Sequence, residues 1–354
     1  VFGHLWSTDW SRALFAERSR LARWLHVIAA LARAQARLGI IPGDAAEAID
    51  QLTIADLDIG LIAAGTRATA HSTLGLIQEM QRHLPESARE HVYLGATVQD
   101  VTDTALALEM SGAGAAMWVD LGSIEDGLLA LAERHASTPM TGRTHGQPGA
   151  PITFGLKVAS WIDELQRHLD RFEQGSERWL VAQLGGAVGT LAFFGDLGVP
   201  LRREFAAELG LRDPTVPWLS ARDRVAEFGS VVSMTATSLA RLANEVYSLQ
   251  RAEIGEVGEA TTATVVGSIT MPHKRNPESS EQVVTLARLA RAQASVLVDS
   301  MVHEHERDAR GWKAEWVAVP EICHYAGAAL ALTRQLVAGL EVHAEVMAAN
   351  LDAV

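Results

Sequence analysis

Cysteine, proline and positive charge are all scarce in this chain, and each scarcity removes a class of protein. A single cysteine, Cys323, among 354 residues excludes an intramolecular disulfide framework. No run of eighteen apolar residues occurs and no secretory leader is recognisable, so the expectation is a cytoplasmic protein without a membrane partner. Lys and Arg number 30 against 43 Asp and Glu, and the formal charge of -13 argues against a general nucleic-acid-binding surface. Metal-ligand patterns are missing as well. His303 and His305 stand two apart, which on a helix puts them on different sides, and no Cys/His cluster or His-Glu-x-x-His pattern accompanies them. The glycine-rich stretches do not follow a strand in a strand-helix-strand unit, so no dinucleotide is expected and the chain is read as using neither metal nor cofactor.

What is abundant is apolar sequence free of proline. Hydrophobic residues make up 48% of the chain and charged residues 21%, enough to bury a large core in two or three regions. Between the eleven prolines apolar residues recur at helical spacing, while strand-like alternation is scarce, so the fold class is all-α. Leu14, Leu21, Leu25, Ile28 and Leu31 trace one face of a first helix over 13–38, with Gly39 as its stop. Five longer runs follow over 102–134, 152–183, 221–253, 278–308 and 321–350. At about 1.5 Å per residue each is on the order of 45 Å long, so they must pack lengthwise as a five-helix bundle. Small residues on several faces, including Ala105, Ala107 and Gly112-Ala113-Gly114-Ala115-Ala116, admit helices on more than one side and predict an oligomer. Residues 1–95 form a smaller N-terminal helical domain and residues 96–354 the long-helix bundle.

Four polar islands interrupt these runs: His71-Ser72, Gly95-Ala96-Thr97-Val98-Gln99-Asp100, Gly142-Arg143-Thr144-His145-Gly146-Gln147-Pro148, and the loop from Gly267 to Pro277. Singly, each reads as caps and turns, with Asp100 or Thr102 starting one helix, Pro148 and Pro151 preceding another, and Pro277 opening the next. Together they gather hydroxyl, imidazole, ammonium and amide groups where turn residues alone would serve. The last island, led by Gly267 and stiffened by Pro272 and Pro277, suits an anion. One reaction needs serine, lysine, asparagine and histidine without a metal: proton removal from carbon beside a carboxylate. The resulting aci-carboxylate is doubly charged, so it requires a base together with fixed cations and donors. Lys274 and Asn276 suit the second duty. Ser268 is a candidate base, and His145 a group that handles the leaving atom or orients the substrate.

Gly267-Ser268 followed by Met271-Pro272, Lys274 and Asn276-Pro277 resembles the signature loop of the aspartase/fumarase superfamily. Gly95-Ala96-Thr97 with Gln99-Asp100 resembles that family's first block, and Thr144-His145 with Gln147 its second, in the same order. Gly185-Gly186-Ala187-Val188-Gly189-Thr190 is similar to a turn these enzymes place between bundle helices. The resemblance implies a homotetramer whose five long helices per subunit build a twenty-helix core, with each active site drawing its three blocks from three subunits. It implies Ser268 as catalytic base, Lys274 and Asn276 as ligands of a substrate carboxylate, and Thr97, Thr144 and Gln147 as substrate contacts. It also implies His145 as acid or orienting group, paired with Glu281; a buried pair of this kind would fix the imidazole tautomer.

Within the superfamily the chain resembles the branch that holds adenylosuccinate lyase and 3-carboxy-cis,cis-muconate cycloisomerase. His305-Glu306-Arg307-Asp308 is similar to the first, whereas Phe154-Gly155-Leu156-Lys157 and Gly311-Trp312-Lys313-Ala314-Glu315-Trp316 are similar to the second. His71 matches a histidine that the lyases use near the leaving group, although Ser72-Thr73 depart from their pattern. Arg307 is a candidate for a distal anionic group, against the reading of its charge run as a solvated helix face. Val98 stands where both cousins carry serine, and Tyr93 where they carry histidine, so neither parental substrate carries over unchanged. The small C-terminal helical domain of many relatives is expected to be absent or truncated. The function expected is elimination of a nitrogen or oxygen leaving group from a substituted succinate, releasing fumarate or a related unsaturated acid, with a small di- or tricarboxylate as partner. The alternatives are carboxymuconate cycloisomerisation and, in another class, a catalytically silent helical scaffold.

Overall fold

A computed structural model describes residues 2–260, 271 and 274–353. The chain opens with α1 (Asp9–Phe15), α2 (Glu17–Arg37), α3 (Gly43–Asp50), α4 (Ile59–Thr69), α5 (Leu74–His83) and α6 (Glu86–Arg89). The long α7 (Val98–Arg134) leads through a hairpin, β1 (Pro139–Thr144) and β2 (Gln147–Thr153), into α8 (Phe154–Trp179). After α9 (Gly198–Glu208) come α10 (Asp223–Leu249), β3 (Val257–Gly258), α11 (Glu278–Asp299), α12 (Ala309–Ala338), β4 (Glu341–Val342) and α13 (Ala344–Asp352). The five expected runs are α7, α8, α10, α11 and α12. Packing of α7 on α8, α10 on α11, α11 on α12, and α12 on α7 closes them into a bundle, with α1 and α2 laid against α7. A single apolar cluster extends from Leu21 and Ile28 through Met117 and Phe228 to Met347. Among the described residues no helix is long and apolar enough to cross a membrane.

Three boundaries differ from those expected. The first helix is broken at Ala16, whose extended backbone (φ -58°, ψ 141°) separates α1 from α2. The fourth run stops at Asp299, so residues 300–308 form a loop and neither Arg307 nor the His303/His305 pair lies on a helix. The fifth begins at Ala309 and not at 321, because Pro320 is buried inside α12 instead of standing at its boundary. A proline there cannot donate to the carbonyl four residues earlier, that of Trp316. Arg20 reaches across from α2 and donates Nη1–H to that carbonyl at 3.4 Å, so the freed acceptor keeps a partner.

Helix direction sorts the polar islands into two groups. Phe154 N–H donates to the Thr138 carbonyl at 2.9 Å and Gly155 N–H to that of His135 at 2.9 Å, which turns α8 back along α7. The start of α7 therefore lies with the end of α8, the start of α10 and the 300–308 loop; the hairpin lies with the end of α10 and the start of α11. Hydrogen bonds tie each group together. Thr104 on α7 donates to the Gln183 carbonyl at 2.9 Å, and Gln99 Nε2 to that of Leu219 at 2.6 Å, at the first end. At the second, Arg143 of the hairpin reaches Glu256 beyond α10.

Candidate active site

At the first end, Thr97 is the N-cap of α7 and its N–H donates to Asp100 Oδ2 at 2.9 Å. Asp100 is buried and also accepts from Gly185 N–H at 2.8 Å, Gly186 N–H at 3.0 Å and Gln183 Nε2 at 3.2 Å, which pins the 185–190 turn to the first block. Burial outweighs those donors and pushes its carboxyl up to about 7. Gly95 has φ +71°, and a Cβ there would stand 2.3 Å from the Phe194 ring, so only glycine admits this approach of the 191–197 segment. The Thr97 hydroxyl accepts from Arg307 Nη1 at 2.6 Å. That bond takes Arg307 out of the solvated face that its charge run suggests, while Glu304, His305 and Glu306 of the same run are exposed.

A buried ion cluster stands behind Arg307. Its guanidinium lies 5.9 Å from the centroid of the Trp312 ring, and Trp312 Nε1–H donates to Asp103 Oδ1 at 3.0 Å. Asp103 receives both terminal nitrogens of Arg222, at 2.6 and 3.0 Å, while Arg222 Nε donates to Glu315 Oε1 at 2.9 Å. Arg222, Asp103 and Glu315 are each at most 1% exposed and join α7 and α12 at the N-cap of α10. Sequence reasoning missed this cluster, since its members lie far apart along the chain. Tyr93 has φ +65°, and its phenol lies against Thr73 and Thr97; burial, together with the nearby Asp100 carboxylate, holds it above the usual tyrosine pKa. Val98 is buried and brings no hydroxyl. His71 is exposed, and its Nδ1 accepts from Leu74 N–H at 3.2 Å at the start of α5.

At the second end the hairpin displays the other block. His145 (φ +53°) and Gly146 (φ +74°) form a two-residue turn of type I′ between the paired Thr144 and Gln147, which leaves the imidazole at its tip. Thr144, His145 and Gln147 are all exposed. Arg143 clamps the hairpin through two bonds, at 2.9 and 2.7 Å, to the fully buried carboxylate of Glu256. Glu259 accepts from Ser279 N–H at 3.0 Å, Ser280 N–H at 2.9 Å and the Ser280 hydroxyl at 2.6 Å, fixing the start of α11 beside it. Lys274 is exposed and has no carboxylate partner among the described residues. It lines a 430 Å³ cavity with Gln250, Glu259, Arg275 and His343. The Asn276 amide donates to Glu278 Oε1 at 3.3 Å. Ser268 lies outside the described residues.

Within one chain these groups do not meet. A helix of 37 residues is about 55 Å long, and α7 separates Thr97 and Arg307 from Thr144, His145, Gln147, Lys274, Asn276 and Glu281 by that span. The buried His145–Glu281 pair expected from the resemblance is not formed in the single chain: both residues are exposed, and no bond joins them among the described residues. The hairpin is instead held by Arg143, one strand position away from the residues it presents.

The family model described as Lyase matches residues 6–291. The chain is 41% identical over 353 residues to N-acetyl-S-(2-succino)cysteine lyase of Dickeya dadantii, covering 99% of this chain and 78% of that protein. It is 42% identical over 344 residues to 3-carboxy-cis,cis-muconate cycloisomerase of Pseudomonas aeruginosa, covering 96% and 75% respectively. The crystal structure of the 3-carboxy-cis,cis-muconate lactonizing enzyme from Pseudomonas putida matches with a TM-score of 0.93 at 36% identity, over 99% of this chain and 79% of that one.

Proposed function

This chain belongs to the lyase family of the fumarase/aspartase superfamily, and from that premise we propose a cofactor-independent lyase that removes a heteroatom leaving group from a substituted succinate, releasing fumarate or a related unsaturated acid. The observation that carries the reading is the Arg307–Thr97 contact at 2.6 Å, a cation and a hydroxyl presented together at the start of α7 with no carboxylate neutralising Arg307 among the described residues. In this reading Ser268 takes the proton from carbon beside a carboxylate, and Lys274 and Asn276 meet the second negative charge of the aci-carboxylate. The bond from carbon to the heteroatom then breaks, its electron pair leaves on the heteroatom, the carbon–carbon double bond forms, and His145 supplies the proton that the leaving atom takes up. Sulfur joins nitrogen and oxygen as the leaving atom, because a relative at 41% identity is named for a succinylated cysteine. The length of α7 supports a site assembled from several copies, as in a homotetramer, where Glu281 of one copy is free to meet His145 of another.

The test is release of fumarate, followed by its absorbance, from a set of succinylated thioethers, amines and ethers. Ser268→Ala is expected to lower kcat roughly 100- to 10,000-fold with the fold intact; unchanged turnover would remove the base assignment. A second reading, cycloisomerisation of a carboxymuconate, is favoured by the 42% identity to one such enzyme. Lactone in place of fumarate among the products would select it.

A further inference from the structure

The hairpin that carries His145 is steered from outside itself. Its tip is exposed, whereas Arg143, two residues before His145, runs down to Glu256, whose carboxylate is fully buried. The segment that presents this carboxylate is sharply turned. Gly255, at φ +62°, folds the chain back after α10 so that Glu256 N–H donates to the Leu249 carbonyl at 2.9 Å. The Glu256 carbonyl accepts from His343 N–H at 3.0 Å, which ties the same residue to the chain entering α13.

Asn350, on α13, closes the arrangement. That helix buries Met347 in the core and packs against β1, so it is anchored independently of Glu256. The Asn350 amide nitrogen donates to the Ile254 carbonyl at 2.9 Å and to Glu256 Oε1 at 2.9 Å, which uses both of its hydrogens. Glu256 Oε1 also receives Arg143 Nη2 at 2.7 Å, and Oε2 receives Nη1 at 2.9 Å. A guanidinium and a carboxylate that share two parallel bonds swing as one body about the glutamate torsions. The bond from Asn350, on an element outside the pair, removes that swing. The Arg143 side chain is then held in one plane, and with it the strand two residues before His145.

We propose that Asn350 is a positioning residue for His145: acting through Glu256 and Arg143, it sets the angle at which the hairpin presents the imidazole to the leaving atom. The inference rests on the reading of His145 as the group that protonates that atom. Asn350 touches no reacting atom, so its loss changes proton delivery and leaves substrate binding alone. A misplacement of about 1 Å at such a group costs on the order of 100-fold in rate.

The experiment uses the full chain and two thioethers of succinate. One carries N-acetylcysteine, an alkyl thiol, and the other nitrothiophenol, whose thiolate leaves without needing a proton. Asn350→Leu is expected to lower kcat roughly 10- to 100-fold on the alkyl thioether with KM little changed, and to leave the aryl thioether within about 3-fold of wild type. Asn350→Gln, which keeps both amide hydrogens, should recover part of the loss; should the leucine chain not fold, the glutamine chain carries the same comparison. In a His145→Gln background, with no imidazole to aim, Asn350→Leu should cost nothing further. Hydrogen exchange gives a readout without turnover: residues 139–153 should exchange faster in Asn350→Leu, while α7 and α8 keep their protection. Equal losses on both thioethers and in both backgrounds, or exchange of the hairpin unchanged, overturn the positioning role while the His145 reading stands. Unchanged kcat in His145→Gln overturns both.

Discussion

His168 is held neutral inside the bundle by the hydrogens of its neighbours. Ser238 donates its hydroxyl to Glu164 Oε1 at 2.5 Å and so accepts from His168 Nε2 at 2.8 Å, while Arg171 Nη1 donates to Nδ1 at 3.3 Å. Burial, reinforced by the Arg171 charge, lowers the imidazole to about 4 from its ordinary 6.5. Because the folded value lies below the unfolded one, this contribution is complete above pH 6.5 and is lost as pH falls towards 4. Denaturant titrations at pH 7 and pH 4.5 should show His168→Gln losing less stability on acidification than wild type, by on the order of 2 kcal/mol; equal losses would contradict the neutral assignment. Asp100 works in the opposite sense. Its folded value is raised to about 7, so its stabilisation is full in acid and lost as pH rises from about 4 towards 7, and the two slopes separate only against the variant. Residues of the candidate site were legible singly, Thr97 and Arg307 both among them. Their bond was not, since 210 positions separate the partners and the 300–308 segment reads by composition as a continuing helix.

At the scale of elements, the Arg222 cluster joins three helices through one cation and two carboxylates, each buried. Arg222→Met would leave Asp103 and Glu315 buried without their counter-ion, a loss of about 3–5 kcal/mol in a denaturant titration. A loss below about 1 kcal/mol would mean that the cluster is open to water. The five long helices were legible because proline and apolar periodicity agree over most of their length. Agreement failed at Pro320, where a donor on one element compensates a defect on another, which no local pattern encodes. It failed again at the hairpin: Thr144-His145-Gly146-Gln147 has the Gly of a type I′ turn, but its strands lack alternating apolar residues, so the island read as a loop.

For the whole molecule the decisive dimension is the length of α7, about 55 Å for 37 residues, with a hydroxyl–guanidinium pair at one end and the imidazole, ammonium and amide groups at the other. In the proposed mechanism a reaction at one carbon needs these groups within a few ångströms of each other, and the proposal meets that need by sharing each site between copies of the chain. The most direct measurement is complementation between two disabled forms, Thr97→Val/Arg307→Met in one chain and Ser268→Ala in the other. Each alone is expected to be inactive towards the succinylated substrate. Mixed assemblies, verified by mass, should regain turnover because some sites then take the first block from one chain and the loop from the other. Mixed assemblies as inactive as either parent would contradict a site shared between subunits.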